Sequence, residues 1–266
     1  MKKIFLLAAI AIAFTSQAQI KMPAPSPAQT IIQDFGLGKI EISYSRPGLK
    51  GRAVFAQNSE LAPLGKVWRT GANAVTKIHN TDVITFGGHT LDTGVYAIWT
   101  IPGETEWAVI INKDYKNWGT QYAEADNLFQ FTVPAVKIGG NIETFTIQFH
   151  NVKDETCDLY LMWGNTCVAI PITTNVKDKI RTQVEGALNS DKINANTYFT
   201  AANFYYNYDK DLNKALTNVT KAVEANPKNA MAFMLKSKIE TGLGDKTAAQ
   251  ASADKAAALM KEGNER

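Results

Sequence analysis

Hydrophobic periodicity changes once along the chain, just after Pro171, and this change limits the possible folds more than any other feature. Before it, short β-branched and aromatic runs alternate with Gly, Asn, Asp and Pro, a pattern typical of antiparallel strands. After it, apolar residues recur at helical spacing, first over Val176–Leu188. The sequence therefore predicts an α+β multidomain chain. An antiparallel β-sandwich or jelly-roll-like domain is expected over 29–173, and an all-α region of helical hairpins over 174–266.

The predicted strands are short and are separated by glycine-containing turns, among them Gly139-Gly140-Asn141. They cover 40–45, 76–79, 83–86, 95–101, 107–112, 128–136 and 142–149, followed by a closing hairpin. Gly164-Asn165 is a favoured two-residue hairpin turn, so we expect 157–163 to pair with 166–172. In that register Cys157 and Cys167 lie on opposite faces and far apart, which predicts two free thiols.

Three or four helices are predicted after 176–188, near 193–207, 211–225, 229–242 and 246–261, and the pattern repeats at a spacing of 34 residues. Phe199, Asp211, Ala215 and Ala222 return as Phe233, Asp245, Ala249 and Ala256. With Tyr206 and Pro227, this spacing resembles tetratricopeptide repeats, whose small residues allow close helix packing. An unrelated helical bundle is the alternative. Two repeats are few for an independent array, so we expect the helices to pack on the β domain or on a second copy.

The first 18 residues have the features of a secretion signal. Lys2 and Lys3 precede the apolar run Ile4–Phe14, which is too short to span a bilayer, and Ser16-Gln17-Ala18 suits a signal peptidase. We expect cleavage after Ala18, a proline-rich lead-in over 19–28, and export to the periplasm or the medium. Cleavage lowers the formal net charge from +3 to +1, which argues against nucleic acid as a partner. No later segment is long and apolar enough to predict a membrane span.

No standard catalytic, cofactor or metal motif is present. His79, His89 and His150 are scattered over different predicted strands, so no metal site and no cofactor are predicted. The remaining candidates for acid–base chemistry are isolated carboxylates such as Asp92 or Asp114. The catalytic residues, if there are any, are therefore unknown, and the chain leans toward a non-enzyme.

One stretch of the chain is strongly basic. Between Tyr44 and His79 six basic residues face a single acid, Glu60. The basic residues are Arg46, Lys50, Arg52, Lys66, Arg69 and Lys77. Arginine suits carboxylate or phosphate recognition, and Trp68 offers a stacking face. Two interpretations stay open: an anion-binding site, or arginines that tie long loops to backbone carbonyls.

The same stretch contains four short motifs: Tyr44-Ser45-Arg46-Pro47, Lys50-Gly51-Arg52, the hexapeptide Trp68–Asn73 (Trp-Arg-Thr-Gly-Ala-Asn), and the later Trp118-Gly119. Together they resemble a family of secreted bacterial proteins catalogued as a domain of unknown function, over most of 30–172. The resemblance implies a shared β fold and export, but no activity. It also implies a common ligand-binding site at Arg46, Arg52, Trp68, Arg69 and Asn73.

A second group of aromatic residues comprises Trp107, Tyr115, Trp118 and Tyr122. Trp107 lies in an apolar strand and is expected in the core. Trp118 lies between Asn117 and Gly119 in a loop, where an exposed indole would suit stacking on a sugar ring.

These observations favour a non-enzymatic exported envelope protein. Its β domain would bind a small anionic or carbohydrate ligand, and its helical tail would contact a protein or a second copy of the chain. The alternatives are a hydrolase acting on a glycan or envelope substrate, and a scaffold without a small ligand.

Overall fold

The computed structural model describes residues 22–264 and contains an antiparallel sheet followed by helices, as predicted. The sheet region comprises β1 (Ala28–Phe35), β2 (Gly38–Ser45), β3 (Thr76–Asn80), β4 (Ile84–Phe86), β5 (His89–Leu91), β6 (Gly94–Ile101), β7 (Glu106–Asn112), β8 (Asn127–His150) and β9 (Thr156–Thr173). The helical region comprises α1 (Val176–Leu188), α2 (Ala195–Phe204), α3 (Leu212–Ala225), α4 (Ala230–Leu243) and α5 (Lys246–Asn264). No helix in this part of the chain has the length and apolarity needed to cross a membrane.

The nine strands form two layers that share the long strand β8. The strand order is β1-β2-β3-β6-β7-β8-β9-β4-β5, with every pair antiparallel. The first part of β8, up to Pro134, pairs with β7, and the part from Ala135 onward pairs with β9. Because one strand serves both halves, the sheet folds over on itself as a sandwich.

Side chains from both layers meet in one hydrophobic core. Ile42 and Ile78 from the first layer are fully buried together with Leu161 and Ile170 from the second. The alternation along β2 follows from the period of two of a strand, since every second side chain points inward. The largest fully buried side chains include Trp107, Trp163 and Phe145, and Trp107 thus lies in the core as expected.

The segment after β2 crosses from the first layer to β8. Phe145 N–H donates to Pro47 O at 2.9 Å, and Leu49 N–H donates to Glu143 O at 2.9 Å. The phenol oxygen of Tyr44 accepts the Ile147 N–H at 2.9 Å, and burial raises the pKa of this phenol. The loop therefore fastens the two layers together at the end of the sandwich where the basic residues lie.

The predicted closing hairpin is wrong. Residues 156–173 form the single strand β9, and the two separate strands predicted over 128–136 and 142–149 form the single strand β8. The glycines that suggested turns instead mark irregular pairing, since the β8–β9 register shifts between Lys137 and Thr146. The extra residues lie on β8, opposite Gly164, which has a φ of +58°, a left-handed backbone that favours glycine.

Cys157 and Cys167 are both free and buried, as predicted, although for a different reason. They lie ten residues apart on the same strand, about 33 Å at 3.3 Å per residue, which no disulfide spans. Burial raises the pKa of the Cys157 thiol to about 12, and it raises that of Cys167 as well. Both groups are therefore thiols, not thiolates, at neutral pH.

Sequence patterns did not identify β1 and β5. Along β1 the exposed positions carry Thr30, Ile32 and Asp34, so apolar and polar residues do not alternate by face. Strand β5 has only three residues. Both lie at the edges of the sheet, where a strand has a neighbour on one side only. The hydrophobic alternation of such a strand is therefore weak.

The five helices agree with the predicted segments, and Asn175 caps α1 by accepting the Asp178 N–H. Ala215 and Ala222 of the first predicted repeat are buried, as are Ala249 and Ala256 of the second. A π-helical turn over Tyr205–Asp209 extends α2 and was not predicted. The buried alanines fit close helix packing, while the assignment to tetratricopeptide repeats stays a prediction.

The helical region contacts the sheet region through α1. Lys179 Nζ lies 2.7 Å from Asp82 Oδ2, and Lys177 N–H donates to Glu155 Oε1 at 2.9 Å. At Gly36 an added Cβ would lie 2.7 Å from Thr174 Cγ2, so only glycine fits this contact. Packing on the sheet region was one of the two arrangements expected. Each region keeps its own hydrophobic core.

The predicted signal sequence and the first residues of the lead-in lie outside the described residues. From Met22 to Pro27 the lead-in has neither helix nor strand.

Candidate functional site

A cleft of about 440 Å³ opens at the end of the sandwich where the basic loops lie. Three segments distant in sequence form it: the proline-rich lead-in, the long connection between β2 and β3, and one residue of β9. Its lining comprises Pro25, Ser26, Pro47, Gly48, Lys50, Arg52, Glu60, Leu61, Trp68, Arg69, Gly71, Ala72, Asn73 and Trp163.

One wall is the hexapeptide Trp68–Asn73, which is folded by its own hydrogen bonds. Trp68 pairs with Thr100 of β6 through two backbone bonds of 2.7 and 2.9 Å. The indole N–H of Trp68 donates to Gly71 O at 3.0 Å. Arg69 Nη1 donates to Asn73 O at 3.0 Å. These hydrogen bonds hold the hexapeptide in a defined conformation, and they give Trp68 and Arg69 a structural role within the loop.

Gly71 and Asn73 attach this wall to neighbouring segments. Gly71 has a φ of +154°, and an added Cβ would lie 3.0 Å from Ser45 O, so the loop approaches the end of β2 backbone to backbone. Asn73 Nδ2 lies 3.2 Å from both Ser45 Oγ and Ser26 O. The lead-in is thereby held as a second wall of the cleft.

Three cationic side chains line the cleft: Lys50, Arg52 and Arg69. Arg52 donates from Nε to Leu49 O and from Nη2 to Gly48 O, each at 3.0 Å. These bonds leave part of each guanidinium uncommitted, since the fork carries five N–H donors. Lys50 is exposed, and its ammonium group bonds no atom of residues 22–264.

Among the described residues the cationic side chains of the cleft form no ion pair, although the carboxylate of Glu143 lies beside the loop and accepts the backbone N–H of Lys50 at 2.8 Å. Within residues 22–264, none of these three side chains has a carboxylate oxygen within 4.0 Å, and every ion pair involves the helical region. Glu60 is the only acid among the lining residues. The cleft therefore carries a net positive charge at neutral pH, which favours an anionic occupant.

Arg46 does not line the cleft, although it was predicted with the others. Its Nε donates to Phe145 O at 3.1 Å, and its Nη2 donates to Thr146 Oγ1 at 2.8 Å. This arginine fastens the loop after β2 to β8. Each interpretation of the basic stretch thus applies to part of it: Arg46 ties a loop, whereas Arg52 and Arg69 tie loops and also face the cleft.

Trp68 cannot serve as the stacking face that was predicted. It is only 6% exposed, and its ring stacks on Trp163, with centroids 5.7 Å apart and an interplanar angle of 17°. Phe55 and Phe145 pack against it edge-on. Trp68 and Trp163 both line the cleft and give it a hydrophobic floor.

Sequence reasoning did not assign Lys50, Glu60 and Trp163 to the site. Lys50 lay within the recognised basic stretch but outside the chosen set. Glu60 was noted only as a counter-charge. Trp163 lies about 95 residues further along the chain than Trp68, in a strand that was predicted as half of a hairpin, so no local signal pointed to it.

The carboxylates considered for catalysis and the histidines considered as metal ligands are not among the residues that line the cleft. Asp114 Oδ1 and Oδ2 accept from Lys116 N–H and Asn117 Nδ2 in its own loop, and neither Asp114 nor Asp92 lines the cleft. His89 stacks on Phe129 and His150 on Tyr160. Among residues 22–264 no three His, Cys, Asp or Glu side chains lie close enough to hold a metal ion.

The second aromatic group divides as its sequence context predicted. Trp107 is buried in the core, whereas Trp118 is 66% exposed in the loop between β7 and β8. Gly119 is buried against the hexapeptide wall: an added Cβ would lie 2.8 Å from both Arg69 Cδ and Asn73 O. All four motifs noted in the sequence therefore meet at this end of the sandwich.

The fold and the cleft define a class: an antiparallel β-sandwich with a basic cleft, followed by a helical region. Comparison with family models places residues 26–172 in the family of proteins of unknown function DUF2911. The match covers more than half of the chain, and the chain belongs to this family. The expected domain-of-unknown-function family is thus confirmed. Comparison with curated proteins finds no significant match.

Proposed function

We propose that the sheet region is a non-enzymatic binding module that holds a small anionic ligand in the cleft of Lys50, Arg52 and Arg69. One observation carries the proposal: three cations line one cleft without a carboxylate partner among the described residues. A unit charge 4 Å from an opposite charge gains about 4 kcal/mol at an effective dielectric constant of about 20. An anion entering the cleft is therefore attracted by the side chains of Lys50, Arg52 and Arg69.

Lys50 gives the sharpest test, because its ammonium group supports no other part of the described structure. A thermal-shift screen of residues 19–266 would include phosphate, sulfate, dicarboxylates and tricarboxylates. An anion at 100 times its Kd stabilises the native state by about 2.7 kcal/mol. We expect Lys50→Ala to abolish most of this shift and Lys66→Ala to preserve it, since Lys66 is an exposed lysine outside the cleft.

Two results would count against the binding module. If no anion raises Tm, or if Lys50→Ala and Arg69→Ala keep the full shift, the cleft is not the site. If in addition Arg52→Ala and Arg69→Ala unfold at markedly lower temperature, the arginines serve as loop ties. The scaffold alternative would then be preferred. For the hydrolase alternative, the two candidate carboxylates, Asp92 and Asp114, do not line the cleft.

We also infer that the chain is exported. The support is the charged, apolar and small-residue pattern of residues 1–18. Expression of the full-length chain in a bacterium, followed by intact mass measurement of the periplasmic fraction, tests this. The expected species begins at Gln19, and retention of Met1–Ala18 on all of the protein would contradict export.

We further propose that the helical region contacts another protein. Met231, at the start of α4, and Met260, near the end of α5, are both exposed. The two-residue connection between these helices makes them antiparallel, so both methionines lie at the same end of the pair. Sedimentation of the native chain and of Met231→Glu tests whether the partner is a second copy. A monomer at every concentration would exclude that partner.

A further inference from the structure

Trp118 differs from the other four tryptophans of the chain. It is 66% exposed, whereas Trp68, Trp99, Trp107 and Trp163 are at most 6% exposed. An exposed indole contributes little hydrophobic stabilisation to the core. Its flat apolar face is therefore available for contact at the surface.

The loop around Trp118 is held by its own hydrogen bonds. Asn117 Oδ1 accepts the Gly119 N–H at 2.7 Å, while Asn117 Nδ2 donates to Gln121 O at 2.9 Å and to Asp114 Oδ2 at 3.2 Å. Gly119 has a φ of +80°, which favours glycine. The exposed indole is thus displayed from a defined loop conformation, which reduces the entropy lost when a ligand binds.

This loop lies at the rim of the basic cleft. Gly119 packs directly on Arg69 and on the backbone of Asn73, both of which line the cleft. Any side chain at position 119 would collide with them, so the close approach depends on glycine. Trp118 is not among the residues that line the cleft, but its backbone is only one residue away from this contact with Arg69.

The two features together describe a ligand with two chemical parts. A flat, exposed indole suits the apolar face of a pyranose ring, and the cations suit a carboxylate or phosphate on the same molecule. Ser26, Asn73 and Glu60 in the cleft provide partners for hydroxyl groups. Within residues 22–264 the Trp118 ring stacks on no other aromatic ring, and Trp118 is the one exposed tryptophan, so a single stacking face is offered and a sugar is the ligand favoured over a nucleobase.

We propose that Trp118 is a stacking platform that extends the cleft, and that the ligand is an acidic saccharide, a sugar carrying a carboxylate or a phosphate. This inference rests on the proposed function of the cleft. It adds the class of ligand and assigns a specificity role to a residue that the cleft alone does not include.

The test is calorimetric titration of the full chain with four probes: inorganic phosphate, a galacturonic acid trimer, a galactose trimer and galactose 1-phosphate. We expect at least one acidic saccharide to bind at least tenfold more tightly than the neutral trimer. Trp118→Ala should weaken that binding at least tenfold and change phosphate binding less than twofold. Trp118→Phe should retain part of the affinity, and Lys50→Ala should weaken both.

Val136→Ala is the matched control, since Val136 is another exposed apolar side chain, lying on β8 and outside the cleft. The tryptophan emission provides a second readout. Since Trp118 is the exposed emitter, an acidic saccharide should shift the emission to shorter wavelength in the native chain and not in Trp118→Phe.

The possible failures are distinguishable. If phosphate binds through Lys50 but no acidic saccharide binds, or if Trp118→Ala binds the saccharide as the native chain does, the saccharide inference is overturned and the anion site stands. If no probe binds, both proposals fail. Tighter binding of a nucleoside diphosphate, with the same dependence on Trp118, would also overturn the saccharide and assign a nucleotide instead.

Discussion

Arg46 and Lys50 lie in one loop, four residues apart, and their side chains have different roles. The guanidinium of Arg46 donates hydrogen bonds to Phe145 O and Thr146 Oγ1 of β8, whereas Lys50 lines the cleft. Sequence composition alone treats the two as equivalent positive charges. Only the contacts separate the residue that holds the fold from the residue that is available to a ligand.

This difference predicts opposite effects on stability. Arg46→Ala should lower the free energy of unfolding by about 1.5–3 kcal/mol, because it removes two hydrogen bonds to a charged group and leaves Phe145 O without that partner. Lys50→Ala should change it by less than about 0.5 kcal/mol, as is usual for exposed side chains. Urea unfolding followed by tryptophan emission measures both. Equal losses in the two variants would contradict the assignment.

The buried thiols give a second prediction at this scale. Because burial raises the pKa of Cys157 to about 12 and also raises that of Cys167, neither should react with a thiol reagent at pH 8 in the native chain. Two equivalents should react after unfolding. Fewer than two equivalents after unfolding without reductant would indicate a disulfide.

The same shift has a consequence for stability at alkaline pH. The pKa of Cys157 is raised on folding from 9.0 to about 12, so the folded state holds this proton more tightly than the unfolded state. The stabilising contribution is complete below pH 9 and is lost as the pH rises from 9 toward 12. Comparing Cys157→Ala with the native chain at pH 8 and pH 10.5 should show the smaller decline in the variant.

At the scale of elements, β8 and β9 show where sequence reasoning reached its limit. Gly164-Asn165 has the composition of a hairpin turn, and local chemistry does not distinguish such a turn from a left-handed glycine within a continuous strand. The decision depends on whether 166–172 pairs with 157–163 or with β8, which is a tertiary contact. Helix α1, by contrast, was predicted to the residue, because its cap and its apolar period are both local.

The glycines of these two strands should respond differently to alanine. Gly164→Ala should destabilise by about 1–2 kcal/mol, because its φ is +58° and the new Cβ would lie 3.1 Å from Val54 Cγ1. Gly139→Ala should be neutral or stabilise by up to about 1 kcal/mol, because its Cβ meets nothing within 4 Å and its φ is not positive. Thermal unfolding of the two variants measures the difference, and a greater loss for Gly139→Ala would contradict the left-handed backbone at Gly164.

At the scale of the whole molecule, the sheet region and the helical region have separate cores. The contacts between them include the Lys179–Asp82 ion pair and the hydrogen bond from Lys177 to Glu155. Such contacts contribute little cooperative free energy compared with buried apolar surface. The two regions therefore need not unfold together.

All five tryptophans lie in the sheet region, so their emission reports on the sheet, while ellipticity at 222 nm reports mainly on the helices. We expect the two signals to change at different urea concentrations, with the helical signal lost first. Coincident transitions would show that the regions unfold as one unit. Asp82→Ala, which removes the ion pair with Lys179, should widen the separation between the two transitions.

The candidate site was predictable in part. Local motifs pointed to Arg52, Trp68, Arg69 and Asn73, all of which line the cleft. They also pointed to Arg46, which bonds to β8 and does not line the cleft. They could not supply Trp163, whose place in the cleft floor depends on the pairing of β8 with β9. Residue type and local charge identified the loops, and only the tertiary contacts show which of their side chains face the cleft.

The attachment of the loop after β2 to β8 also sets when the cleft can exist. Arg46 meets Phe145 and Thr146 across 99 and 100 residues of chain, and the floor needs Trp163 as well. During synthesis the basic loops emerge long before these partners. A ligand can therefore meet a formed cleft only after nearly the whole sandwich has been made, and folding that depends on such distant contacts is slow. Binding of the ligand would thus report completed folding, not merely the presence of the chain.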